Sequence, residues 1–206
     1  FGYPLDMALS PDGIKMAVSY MRVNGNKIST HIAFYNFGSA GQMELNNQVG
    51  ELNVDDVLAP QIFFCDNSTA VAVRTDGFTV FSGSQSPKEK KTVKFDQEII
   101  STFHDGNRIG FVFDGGDSGH KYLMKVYNTG GKNTMQKYFD LQYNSITLQK
   151  DKIVLFNEKE FAIYKLNGQK TFQGKYRKPI QNVLSIRGFR KYMVITEDSA
   201  DLIRLG

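Results

Sequence analysis

Cysteine is nearly missing from this sequence, with Cys65 the only one in 206 residues. A single thiol excludes a disulfide framework and any multi-thiolate zinc site. A chain of this length can bury a substantial core, so neither device is needed to hold it together. Cys65 follows Ile62-Phe63-Phe64, which reads as a buried small hydrophobe and not as a nucleophile. Low cysteine use fits a reducing cytoplasm and the exported proteins of many bacteria equally, so compartment stays open. Also missing is any apolar run near the ~20 residues that span a bilayer, and no charged-then-apolar signal opens the chain. The three histidines, His31, His104 and His120, share no i, i+4 spacing, and none stands beside a second His or Cys. They read as strand or turn residues, and no metal site follows from them. Walker loops, dinucleotide fingerprints and nucleophile elbows are absent too, so the sequence assigns no cofactor and no catalytic residue.

What is present is a repeat. A first strand ends in a polar turn, an apolar second strand follows, and a hairpin leads to a third strand closing on an aromatic residue and a turn. Second strands are expected at 14–21, 70–75, 108–114, 152–158 and 191–197, and third strands at 31–37, 78–83, 122–128, 161–166 and 200–205. Aligned on Tyr35, Phe81, Tyr127, Tyr164 and Arg204, the third strands recur at the period of a propeller blade, roughly 40–50 residues. The first-to-second turns recur as Ser10-Pro11-Asp12-Gly13, Cys65-Asp66-Asn67, His104-Asp105-Gly106 and Lys150-Asp151. Asp, Asn and Gly supply the positive φ or side-chain capping that tight turns require. Poorer alternating segments at 91–95, 135–139 and 170–176 suit a fourth, outermost strand beside solvent.

Inner strands such as Phe111-Val112-Phe113 and Ile153-Val154-Leu155-Phe156 are apolar on both faces. A two-sheet sandwich would alternate cleanly, whereas a blade packed between two neighbours would not. Helices have almost no room, the best candidate at 42–52 being interrupted by Asn46-Asn47 and Gly50. The expectation is an all-β, β-propeller-like array of about five four-stranded blades in one domain. Their approximate spans are 1–56, 57–97, 98–141, 142–178 and 179–206, the last lacking a fourth strand. Five blades either close into a small ring or form part of a larger one. The opening at Phe1 and the stop inside a blade favour a segment of a ring of about seven.

The opening Phe1-Gly2-Tyr3-Pro4-Leu5-Asp6-Met7-Ala8-Leu9-Ser10-Pro11-Asp12-Gly13, the segment Ile32-Ala33-Phe34-Tyr35-Asn36-Phe37-Gly38, the turn Asp76-Gly77-Phe78 and Ile109-Gly110-Phe111-Val112 carry a likeness. Through them the whole chain resembles an uncharacterised family of bacterial propeller-like domains of unknown function. That resemblance implies an upstream membrane helix, absent here, followed by a propeller on the extracellular side of the cell membrane. It supplies no activity and no site. Ser10-Pro11-Asp12-Gly13 is also similar to the turn in blades of WD40-like and TolB-like propellers, a signal shared by many folds. With no tryptophan, the chain lacks the Trp-Asp signature of the former and the Trp docking residues of quinoprotein propellers.

Gly116-Asp117-Ser118-Gly119 matches the residues around a chymotrypsin-like nucleophile, and His31 and Asp55 or Asp56 precede it in a permissible order. The serine, however, lies in a Gly-rich hairpin, and His120 stands where the protease motif carries glycine, so an ordinary loop explains the composition. Asp114, Asp117 and Ser118 offer oxygens to calcium, but their spacing fits no calcium motif.

Charge is unevenly placed. Residues 150–206 carry 12 Lys/Arg against 6 Asp/Glu, and residues 1–149 carry 13 against 15. Within the basic end, Lys175, Arg177, Lys178, Arg187, Arg190 and Lys191 interleave with Tyr176, Phe189 and Tyr192. If 175–179 leaves the fourth blade and 187–191 is the first hairpin of the fifth, these six residues form one positive patch on neighbouring blades. Such clusters are also what a solvated blade edge looks like; as a binding surface, the patch would take a protein or an acidic polymer of the cell surface, including membrane headgroups, in preference to nucleic acid. The leading functional expectation is therefore a non-enzymatic interaction or scaffold module. The alternative is a hydrolase or lyase with its site in the propeller channel.

Overall fold

β-branched and aromatic residues in short runs, punctuated by Asp, Asn and Gly, favour brief antiparallel strands joined by tight turns. The computed structural model, which describes residues 2–38, 47–186 and 190–205, contains nineteen of them in five antiparallel meanders of three or four strands. Among the described residues the helical content is one 3₁₀ turn, Gly116–Ser118.

One compact unit, within residues 1–99, holds two sheets. The first comprises β1 (Tyr3–Leu9), β2 (Lys15–Asn24), β3 (Lys27–Asn36) and β4 (Gln48–Asp55). The second comprises β5 (Gln61–Phe64), β6 (Thr69–Arg74), β7 (Gly77–Ser82) and β8 (Lys88–Lys94). The helix weighed at 42–52 is a strand from Gln48 onward, and residues 42–46 lie outside the described residues. Inner strands are buried on both faces: Ala70 to Arg74 and Gly77 to Phe81 are all buried, while β8 is mostly exposed. Between the sheets, Ala17, Ile32 and Phe34 pack on Ile62, Ala70, Ala72 and Phe81. The Phe34 and Phe81 rings lie 4.9 Å apart and tilted, a favoured aromatic geometry. Where polar groups enter this interface they are bonded across it. Ser19 Oγ donates to Ala59 O at 2.6 Å, and Thr30 Oγ1 donates to Val57 O at 2.7 Å while accepting from Ala59 N at 3.0 Å.

The other unit, mostly residues 100–206, holds three sheets. The third sheet has β9 (Ser101–Asp105), β10 (Arg108–Asp114), β11 (Tyr122–Asn128) and β12 (Asn133–Phe139). The fourth has β13 (Ser145–Gln149), β14 (Lys152–Phe156), β15 (Glu160–Lys165) and β16 (Lys170–Lys175). The fifth has only β17 (Asn182–Ser185), β18 (Lys191–Ile195) and β19 (Ala200–Arg204). One core joins Phe103, Val112, Met124 and Phe139 to Ile146, Leu148, Ile153 and Leu155, and a second joins Val154, Phe161 and Ile163 to Val183, Tyr192 and Val194.

Each four-stranded sheet carries a register shift between its third and fourth strands, immediately before Tyr35, Phe81, Tyr127 or Tyr164. A bulge there bends the outer strand and adds twist. The first-to-second turns also do more than reverse the chain. Asp12 N donates to Asn67 Oδ1 at 3.0 Å, and Lys150 N donates to Asp105 Oδ2 at 2.6 Å. In each unit, then, a turn of one sheet holds the corresponding turn of its neighbour.

Candidate functional site

In an antiparallel meander, alternate turns fall at the same end of the sheet. The β13/β14 turn and the β15/β16 turn therefore share one end of the fourth sheet, and the β17/β18 turn meets them from the fifth. Together they line a cleft of about 610 Å³, to which Lys150, Asp151, Lys152, Lys165, Lys170, Arg190 and Lys191 contribute charge. Among the described residues six cationic side chains thus face a single carboxylate, and that carboxylate is engaged: Lys152 Nζ pairs with Asp151. Asp151 is held below the ordinary carboxylate range chiefly by this contact.

The walls are fixed by amides. Gln149 Oε1 accepts from Ser185 N at 2.6 Å, and Gln149 Nε2 donates to Val183 O at 2.9 Å, tying the fifth sheet to the fourth at the mouth of the cleft. Lys165 Nζ donates to Gln169 Oε1 at 2.9 Å and Lys170 Nζ to Gln173 Oε1 at 2.7 Å. Tyr192 is buried at the floor, where burial raises its hydroxyl pKa, Asp151 raises it further and Arg190 opposes. Ile186 and Leu205 add apolar surface. Lys150 and Arg190 adopt left-handed backbone, with φ 59° and 57°. Such conformations are costly for residues other than glycine and persist only where surrounding contacts impose them. The contacts here are Lys150 N to Asp105 and Leu205 N to Arg190 O, the latter at 3.0 Å.

Of the six residues singled out by sequence, the five described do not come together. Arg190 and Lys191 line the cleft. Lys175 ends β16, opposite Glu160, whereas Lys170 begins it opposite Tyr164. Lys175, Arg177 and Lys178 accordingly lie at the far end of the strands, where Tyr176 N donates to Lys159 O. Lys178 Nζ is paired there with Asp198 at 3.1 Å, and Tyr176 hydroxyl with Asp201. The chain does leave the fourth sheet after Lys175, and Ser185 pairs with Tyr192 on either side of the second expected turn, but a four-stranded sheet is left at the end opposite its first-to-second turn. Arg187 lies outside the described residues. Sequence reading missed Lys150, Lys152, Lys165 and Lys170, although each flanks a recurring turn on the cleft side.

The serine loop is the ordinary connection between β10 and β11 that its composition suggested, held by local bonds. Ser118 Oγ accepts from the backbone N–H of His120 at 3.2 Å, so the contact is a turn bond and not an imidazole–hydroxyl pair. His120 Nδ1 lies 2.9 Å from Asp140 Oδ2, a partner that sequence order did not suggest. The His120 bond is the main cause holding the Asp140 carboxyl below its ordinary range. His31 contacts Asn53 through Nδ1 at 2.8 Å and is buried in the first sheet, in a different unit from Ser118. Asp114 Oδ1 accepts from Gly116 N at 2.8 Å, capping the loop. Cys65 is only partly buried; burial, with Asp66 adding, pushes its thiol up to about 12, which suppresses the reactive thiolate.

Solved structures similar to the chain are β-propellers. Sqt1 from Chaetomium thermophilum matches with a TM-score of 0.64 at 11% identity, over 100% of this chain and 62% of that one. Hsv2 from Kluyveromyces lactis matches with a TM-score of 0.55 at 12% identity, over 99% of this chain and 60% of that one. Sqt1 bound to the N-terminus of the ribosomal protein L10 matches with a TM-score of 0.50 at 10% identity, over 96% and 70%. The chain thus spans less than two thirds of the length of the first two. At such identities the likeness shows the fold, and the sheets are blades of a β-propeller-like array. No curated protein matches the sequence. A family model matches residues 1–205, and the chain belongs to that family, DUF5711, a family of unknown function.

Proposed function

We propose that this chain is a non-catalytic interaction module, carried on the extracellular face of a bacterial membrane by a segment upstream of it. The observation that carries the interaction reading is the cleft between the fourth and fifth blades, where cations from three hairpins converge. Its one carboxylate among the described residues is paired with Lys152, and the rest of the polar lining is lysine, arginine, amide and hydroxyl groups. That set attracts and orients an anionic partner and offers no obvious proton acceptor for chemistry. Sqt1, a similar propeller, has been solved with a protein N-terminus bound, which supports a protein partner here. The outward placement rests on the sequence resemblance.

Two measurements test the proposal on the full-length parent protein in its own membranes. Protease added to intact cells should cleave the propeller, and cleavage only after permeabilisation would overturn the outward placement. Crosslinking from residues of the cleft, followed by isolation of the parent, should trap one recurrent protein. Crosslinks spread over many proteins with no recurrent partner would overturn the interaction reading.

A further inference from the structure

We propose that the cleft between the fourth and fifth blades binds an extended acidic peptide segment in which carboxylates flank an apolar side chain. This deepens the interaction-module reading and rests on it.

Three observations select that ligand. The cations stand on three separate hairpins, Lys150 and Lys152 on one, Lys165 and Lys170 on another, Arg190 and Lys191 on the third. Charge distributed in this way matches several carboxylates along a strand better than one compact anion. A compact phosphate site gathers backbone N–H groups, a guanidinium fork or a lysine around one anion, whereas these six cations, five of them lysines on flexible stems, are spread over three hairpins. Second, Ile186, Tyr192 and Leu205 lie among the cations, and an apolar side chain between carboxylates would cover them. The volume, about 610 Å³, falls in the ~300–1,000 Å³ range of clefts that enclose ligand groups. Third, two of the three left-handed non-glycine residues among the described residues, Lys150 and Arg190, are cleft residues. Glycine would fit both backbones at lower cost. Keeping long cations at strained positions is accounted for when their charge is used.

The experiment measures anisotropy of a fluorescent peptide in which Asp and Glu flank a central Leu, titrated with the chain at low and moderate salt. A second peptide of equal charge carries Gly for the Leu, and inorganic phosphate and polyphosphate serve as competitors. The first cleft variant is Lys165→Gln/Lys170→Gln/Lys191→Gln. A control of equal charge change on exposed β8 is Lys88→Gln/Lys90→Gln/Lys94→Gln. With each exposed ion pair contributing roughly twofold to fivefold in affinity, the cleft variant should bind about tenfold or more weakly. The control should change less than about twofold, and affinity should fall as salt screens the pairs. Lys150→Gly/Arg190→Gly keeps the left-handed turns, so it should fold as well as the parent or better while binding the peptide several-fold more weakly.

Equal losses in the cleft variant and the β8 control overturn the proposal, as does equal binding of the Leu and Gly peptides. Polyphosphate binding tighter than the peptide with the same dependence on the cleft would also overturn it, showing a general polyanion site. If the peptide fails while a recurrent partner is still crosslinked in membranes, the ligand class is wrong and the interaction reading stands. If both fail, the interaction reading falls as well.

Discussion

Gln149 accepts a hydrogen bond from the Ser185 backbone N–H at 2.6 Å, from the last residue of β13 to the last of β17. The same amide donates to Val183 O, so one side chain holds two points of the fifth blade. Replacing Gln149 with Ala should destabilise by about 1–3 kcal/mol, its two bonds to the fifth blade being worth ~0.5–1.5 each. Amide exchange at Ser185 should accelerate. Gln149→Glu should preserve protection at Ser185, since a carboxylate still accepts, while losing the bond to Val183. Unchanged exchange in Gln149→Ala would show that the clamp is dispensable.

Gly110 in β10 faces Phe103, and a Cβ there would stand 2.1 Å from two atoms of the buried ring. Gly110→Ala should therefore cost roughly 1–3 kcal/mol or more in denaturant unfolding, the scale of overpacking in a tight core. The double variant Gly110→Ala/Phe103→Leu should recover part of that loss. Strict additivity in the double-mutant cycle would contradict the clash as its cause.

Burial pushes the pKa of His104 down, with Asp105 opposing. Its neutral form is favoured in the folded chain, so the unfolded chain binds more protons as pH falls below about 6.5. The stability His104 contributes is complete above that value and is lost as pH drops through the folded pKa. Asp140 and Asp198, held low by His120 and Lys178 respectively, lose their contribution only below about pH 4. The thermal midpoint should accordingly fall between about pH 7.5 and 5.5, and His104→Gln should flatten that fall.

Arg74 is buried, and its guanidinium grips Asp76 with two bonds of 2.8 Å while a third reaches Thr79. Asp76→Ala should destabilise by roughly 1–3 kcal/mol, because a buried guanidinium loses its bidentate acceptor. The figure stays below the ~3–5 kcal/mol of a fully buried pair because Asp76 keeps contact with water. Arg74→Met/Asp76→Ala should recover stability, as measured by urea unfolding.

Strand placement was legible because burial on both faces leaves a continuous apolar run. The segments 108–114 and 122–128 coincide with β10 and β11, and the other inner strands agree to within a few residues. The aromatic residues that align the third strands are also where the bulges fall, Tyr35, Phe81, Tyr127 and Tyr164, though periodicity alone reveals the position and not the bulge. β4 was obscured because Gln48–Asp55 alternates polar residues with Val49, Leu52 and Val54 beside solvent, so its apolar content is low. The cleft was half legible. Counting charge along the chain finds the basic end, but the side of the blade on which a lysine emerges depends on strand parity. Lys170 and Lys175 bound one six-residue strand and stand at opposite ends of it.

The turns that clamp neighbouring blades have a consequence for how the family can vary. Asp12 and Asn67, like Asp105 and Lys150, belong to loops that reverse their own chain and brace the adjacent blade. Lengthening such a loop would release two blades at once, so divergence there is doubly constrained. The β2/β3 hairpin is under no comparable constraint: Gly25, at φ 60°, has open space where a side chain would begin. Inserted residues, a fluorophore or an affinity handle would be accommodated at that hairpin, and new surface features would accumulate there more readily than at the braced turns.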